Sequence, residues 1–210
     1  GGAQTALLAE YCAQAGGTAI SIDPSPVGTQ DLERRSGNTL SIERRPSLDV
    51  LPQVNTCDAV LIDGDHNHYT VFHELGLASA MRGSGGHPPL ILMHDTGWPC
   101  ARRDMYYEPG RIPADAIHPH ERSGLIPGNA DTSPHGMFPH DVHALREGGE
   151  RNGVLTAVED FLKTGAGQAF TFVNLPGLHG YGILAHRDLL AAHPALNEFL
   201  GRCRLDDFAR

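Results

Sequence analysis

The 210-residue chain carries a formal net charge of -9, with 16 Lys and Arg against 25 Asp and Glu, and 40% of its residues are apolar. That length and apolar share suit one well-buried domain, while the negative balance opposes phosphate backbones and excludes nucleic acid as an expected partner. Four cysteines, Cys12, Cys57, Cys100 and Cys203, stand far apart without a CxxC pair, which argues against a zinc knuckle or a disulfide framework. A reducing, cytoplasmic setting is expected, and no apolar run nears the ~20 residues of a membrane span.

The first stretch, "AQTALLAEYCAQA" at 3–15, places Ala6, Leu7, Tyr11 and Ala15 near one helical face and stops at Gly16 and Gly17. "TAISIDP" at 18–24 is rich in β-branched residues and reads as a short buried strand ending in Asp23. "NTLSIERR" at 38–45, "DAVLIDGD" at 58–65 and "PPLILMHDTG" at 88–97 are further strands. The last two are uninterrupted apolar runs of the kind found where both faces of a sheet are covered. Between them "HYTVFHELGLASAMRGSGG" predicts a helix closed by glycines. Residues 98–152 lose all periodicity and are dominated by proline, glycine and histidine, which reads as a lid or a disordered insert. A helix at about 152–163, strands "AFTFVNLP" and "GYGILAHRDLL", and a surface helix in "HPALNEFLGRCRLDDFAR" complete the chain. This alternation predicts an α/β, doubly wound, Rossmann-like and mostly parallel sheet, in a single domain over 1–210.

In such sheets ligands bind outside the carboxyl ends of the strands. Asp23, Asp63 with Asp65 and His66, and His94 with Asp95 all fall there. Asp23 stands where a carboxylate accepts hydrogen bonds from the ribose hydroxyls of a nucleoside cofactor, and it reads equally as a turn residue before Pro24. Asp63 and Asp95, at the ends of neighbouring parallel strands ~4.8 Å apart, can share one cation. Hard oxygen ligands suit magnesium; His94 suits manganese, iron or zinc better, so the ion's identity stays open. His66 is either a general base beside that ion or a solvated residue at a helix start.

These residues resemble the class I S-adenosylmethionine-dependent methyltransferases, and among them the metal-dependent O-methyltransferases, over most of the chain outside 98–152. "GGAQTALLAEY" looks like the tail of the glycine-rich first motif and its helix, with Gly1, Gly2 and Thr5 on matching positions. "ISIDP" matches the strand whose final acid, Asp23, holds the ribose, and Ser47 in "ERRPSLDVLP" falls near the adenine or ribose. The resemblance implies S-adenosylmethionine as cofactor, with Asp63 and Asp65 also beside it. It further implies Mg2+ or another divalent cation on Asp63, His94 and Asp95, with His66 as base. Histidine at 94 departs from the family's usual acid. A first strand before Gly1 and an antiparallel final strand are also expected.

The segment that follows the fourth long strand, "GWPCARRDMYYEPGRIP", carries Trp98, Arg102, Arg103, Tyr106 and Tyr107 toward the site. They either bind a planar or anionic acceptor or tether the loop. The expected partner is a small-molecule hydroxyl acceptor, with homo-oligomerisation left open. Two rival readings stand beside methyl transfer. One is a metal-dependent hydrolase built on the same Asp and His residues, and the other is a non-catalytic relative that binds the cofactor.

Overall fold

The computed structural model describes residues 2–203, which leaves the Gly1 position and the end of the last predicted helix, 204–210, outside it. The chain divides into two compact units, Gly1–Gln53 and Val54–Arg210. In the first, α1 (Gly2–Ala15), β1 (Ala19–Ile22), α2 (Gln30–Ser36), β2 (Leu40–Glu43) and α3 (Ser47–Val50) follow one another. Strands β1 and β2 pair in parallel, Ala19 opposite Leu40 and Ile22 opposite Glu43. Ala9, Leu40 and Ile42 form the small core, with Ala19 and Leu32 against it. The face predicted from Leu7 and Tyr11 is not the buried one: these side chains are 67% and 69% exposed, and Ala9 packs instead. Helix α2, "QDLERRS", buries no residue, so no apolar periodicity announced it.

The second unit runs β3 (Ala59–Ile62), α4 (His68–Ala80), β4 (Leu90–His94), β5 (Met105–Tyr106), β6 (His120–Arg122), β7 (Val142–Ala144), α5 (Val154–Lys163), β8 (Phe170–Leu175), β9 (Tyr181–His186), α6 (Arg187–Ala192) and α7 (Pro194–Arg202). Its main sheet has the order β3-β4-β9-β8. The β3–β4 pair is parallel, while β9 lies antiparallel between β4 and β8. The protein is therefore α/β with mixed sheets that contain parallel strands. Alternation along β4 feeds two apolar layers. Ile91 and Met93 join Val71, Leu75, Val158 and Phe161 of the α4 and α5 side. Leu90 and Leu92 join Ile183, Leu189 and Leu200 on the side of α6 and α7. This double burial explains why the strands read as continuous apolar runs. Strand "GYGILAHRDLL" ends sooner than predicted, because His186 accepts the backbone N–H of Asp188 and starts α6.

The 98–152 segment contains a second sheet, β5-β7-β6, all antiparallel. Its strands are two to three residues long, too short to leave a period in the sequence. Buried polar groups hold it together. Arg103, 1% exposed, donates to the carbonyls of Ala144 and Ala130 at 2.5 and 2.6 Å. Asp104 accepts from the backbone N–H groups of His68 and Gly153 and from Tyr106 Oη, and its own N–H goes to Asn152. No described helix is long and apolar enough to cross a membrane.

Candidate functional site

The parallel register sets Ile62 opposite Met93, so the next residues, Asp63 and His94, leave the sheet side by side. His94 Nδ1 lies 3.3 Å from Asp63 Oδ1 and donates to Asp95 Oδ2 at 2.7 Å. His66 Nε2 approaches Asp95 Oδ2 at 3.0 Å and Asp63 Oδ1 at 3.8 Å. A further imidazole arrives from the β8–β9 turn: His179 Nδ1 is 3.3 Å from Asp95 Oδ1. Two carboxylates thus meet three imidazoles over a few ångströms. Asp95, its side chain 7% exposed, forms the floor, and His94, 34% exposed, opens the site to solvent.

Asp95 takes a left-handed backbone, φ 61°, directly after β4. Asp tolerates that region better than most residues, and sparsely populated backbone conformations concentrate at functional sites. The turn lets one carboxylate face His94, His66 and His179 together. A close backbone approach supplies the last of these: the N–H of Gly97 donates to the carbonyl of His179 at 2.6 Å, and a Cβ on Gly180 would fall 2.3 Å from Gly97 N.

His66 Nε2 and His179 Nδ1 are buried without a hydrogen-bond partner among the described residues, although both meet Asp95 at ion-pair distance. Buried ring nitrogens are normally satisfied, so the pair marks a position where a cation can enter. Burial alone would depress the His66 imidazole, but its contact with Asp63 and the charges of Asp95, Asp63 and Asp65 prevail and hold its pKa above the ordinary value. Asp63, His94 and Asp95 offer ligand atoms that all lie within 4.8 Å of one another, as do His66, Asp95 and Cys100. The donor set fits a divalent ion that accepts both oxygen and imidazole.

Not every predicted site residue meets this cluster. Asp65 turns toward α4, where it accepts from Thr70 Oγ1 at 3.0 Å, and burial raises its pKa. Among the aromatic and basic residues of 98–107, Tyr107 flanks His66 with ring centroids 5.8 Å apart. Trp98 reaches the site through Phe138, which in turn packs on His179. Arg102, Arg103 and Tyr106 instead tether the segment. Arg102 makes a bidentate pair with Glu159, 2.6 Å on each arm, Arg103 is wholly buried on carbonyls, and Tyr106 is buried with its hydroxyl on Asp104. These contacts match the tethering role, one of the two that the sequence left open.

In the first unit Thr5 Oγ1 stands 3.4 Å from Ser21 Oγ, and Ser47 opens α3. Asp23 accepts the N–H of Ser25 at 2.8 Å, the turn role that sequence left as an alternative. Gly2 begins α1, and Gly1 lies outside the described residues.

His179 and Cys100 were missed in the sequence. His179 sits in the "PGLHGYG" turn, and only the long-range placement of β9 beside β4 brings it in. Cys100 follows Asp95 by five residues, but its proximity depends on a turn fixed by α5, whose Val154 and Leu155 N–H groups donate to the carbonyls of Cys100 and Ala101. A separate cavity of about 460 Å³ runs along α4, lined by His68, Tyr69, Phe72, Arg151 and Asp160 among others, and none of the cluster's ligand atoms line it. Compared with protein-family models, with curated proteins and with solved structures, the chain matches none.

Proposed function

We propose that the protein is a divalent-metal-assisted, S-adenosylmethionine-dependent methyltransferase acting on the hydroxyl of a small molecule. The observation that carries this reading is the convergence of Asp63, His94 and Asp95 at the carboxyl ends of the parallel pair β3–β4, with His66 beside them. The antiparallel β9 between β4 and β8 supports a methyltransferase-like, doubly wound arrangement. Four cysteines that form no disulfide support a cytoplasmic setting.

Asp63, His94 and Asp95 would hold the ion, and Thr5, Asp23 and Ser47 are the residues of the first unit proposed to bind the cofactor. When bound, the ion supplies polarisation of the acceptor hydroxyl and the cofactor supplies the methyl group. His66 takes the hydroxyl proton at Nε2, the nitrogen that Asp95 approaches at 3.0 Å. Asp63 and Asp95 stabilise the imidazolium that results. Tyr107 stands against the ring of His66.

The three imidazoles around Asp95 support a second reading, a metal-dependent hydrolase, because this donor set suits manganese or zinc as well as magnesium. Calorimetric titration with S-adenosylhomocysteine, with and without Mg2+ or Mn2+, separates the two. Heat of binding supports methyl transfer. Binding of the ion alone, with no response to the nucleoside, supports hydrolysis and removes the first reading.

A further inference from the structure

The two donor sets at the strand ends are chemically different and overlap in a single residue. Asp63, His94 and Asp95 present two oxygens and one nitrogen, a set for hard or borderline ions. His66, Asp95 and Cys100 present one nitrogen, one oxygen and one sulfur, and thiolate is the ligand that draws zinc. We propose that His66, Asp95 and Cys100 form a second, overlapping site for a thiophilic cation of the zinc class, and that its occupation switches off the chemistry of the first.

The geometry for binding is on hand. His66 Nε2 and Asp95 Oδ2 are 3.0 Å apart, and Cys100 Sγ lies within 4.8 Å of the ligand atoms of both. Around a tetrahedral zinc ion, with bonds of about 2.0–2.1 Å to nitrogen or oxygen and about 2.3 Å to sulfur, ligand atoms stand about 3.3–3.6 Å apart. A small side-chain adjustment closes the difference. Cys100 cannot drift away, because its backbone carbonyl is held by Val154 N–H at 2.9 Å at the start of α5. His66 Nε2, buried and unsatisfied, points to a ligand there independently of the thiol. A fourth position is left for water, since these three residues supply three donors.

Binding is a proton exchange. As the sulfur–metal bond forms the thiol proton goes to solvent, together with any proton carried on His66 Nε2. Asp95 Oδ2 lies 2.7 Å from His94 Nδ1 and 3.0 Å from His66 Nε2, so an ion on the second set takes the oxygen that the first set needs. It also takes the ring nitrogen proposed as the base. The binding half of this inference stands without the methyltransferase reading, and the inhibitory half rests on it.

Cadmium titration of the full chain, followed by ultraviolet difference absorption, tests the site, because cadmium thiolates give a charge-transfer band that oxygen and nitrogen ligands do not. The wild type is expected to develop the band up to one equivalent and to lose it when zinc is added. Cys100→Ser and Cys100→Ala should each abolish the band and weaken cadmium binding at least about 100-fold. His66→Gln should keep a weakened band, and Asp63→Asn should keep it in full. Cadmium binding to the wild type without a band, or an undiminished band in both Cys100 variants, overturns the proposal by assigning the ion elsewhere. Adding zinc to the magnesium-loaded protein during S-adenosylhomocysteine titration separates the two readings. Absence of any nucleoside response removes the methyltransferase reading and with it the inhibitory half, while the cadmium band still decides the site.

Discussion

The ends of β3 and β4 and the 98–152 segment both carry several Asp and His residues, and in that respect they look alike. They differ in how the polar groups are satisfied. In the segment Arg103, Asp104 and Asn152 are almost wholly buried, and each meets matching partners: carbonyls for the guanidinium, three donors for the carboxylate, and one N–H donor with two carbonyls for the amide. At the strand ends two carboxylates stand close together, and His66 Nε2 and His179 Nδ1 have no hydrogen bond among the described residues. Complete hydrogen bonding marks a framework, whereas buried ring nitrogens with no hydrogen bond among the described residues mark a place where a ligand can enter.

The comparison can be broken most severely in the segment. Gly153 has φ 91°, and a Cβ there would lie 2.5 Å from both the Ala101 carbonyl oxygen and Arg103 N. Gly153→Ala should cost about 4 kcal/mol or more by chemical denaturation. A change at the strand ends should act on ligand affinity and spare the fold. Asp95→Asn keeps a residue type that accepts the left-handed backbone while removing the shared charge. Mn2+ affinity, followed by electron paramagnetic resonance of the free ion, should fall at least about 100-fold, equivalent to about 2.7 kcal/mol, with the circular dichroism spectrum unchanged.

A pH profile sharpens the contrast. His143, 1% exposed on β7, is held below the ordinary imidazole pKa of 6.5 chiefly by burial, against the opposing contact with the Ser123 carbonyl. The unfolded chain therefore takes up this proton at a higher pH than the folded one. The stability concerned is complete above 6.5 and drains away as pH falls toward the folded-state pKa. The melting temperature should drop from neutral to mildly acid pH, and the slope should be shallower in His143→Asn. The smallest effect belongs to the Arg102–Glu159 pair, whose side chains are 38% and 43% exposed. Glu159→Ala should cost no more than about 1 kcal/mol in thermal unfolding.

How much of this was legible in the sequence follows from the same contrast. The apolar runs at Val60–Ile62 and Leu90–Met93 announced β3 and β4, and two parallel strands side by side already place Asp63 near His94 and Asp95. Local pattern sufficed there because burial on both faces writes itself into consecutive residues. His179 was hidden because its approach depends on pairing between β4 and β9, about 90 residues apart in the chain. Arg102, Arg103 and Tyr106 stayed between two roles for a different reason. A basic or aromatic residue near a strand end carries no mark of whether Glu159, a carbonyl or Asp104 will claim it. The strands of 98–152 were invisible since hydrogen bonds to buried polar side chains, with no alternation of apolar ones, define them.

The contact of Gly97 with Gly180 has a consequence for anyone who would redesign this protein. The two backbones touch where neither position has room for a side chain, and that touch carries His179 to Asp95. The third imidazole can thus be withdrawn from a distance, by giving Gly180 a methyl group, with every donor atom left intact. The hairpin is a removable support for the cluster, and an engineer could retune the donor set by shifting it.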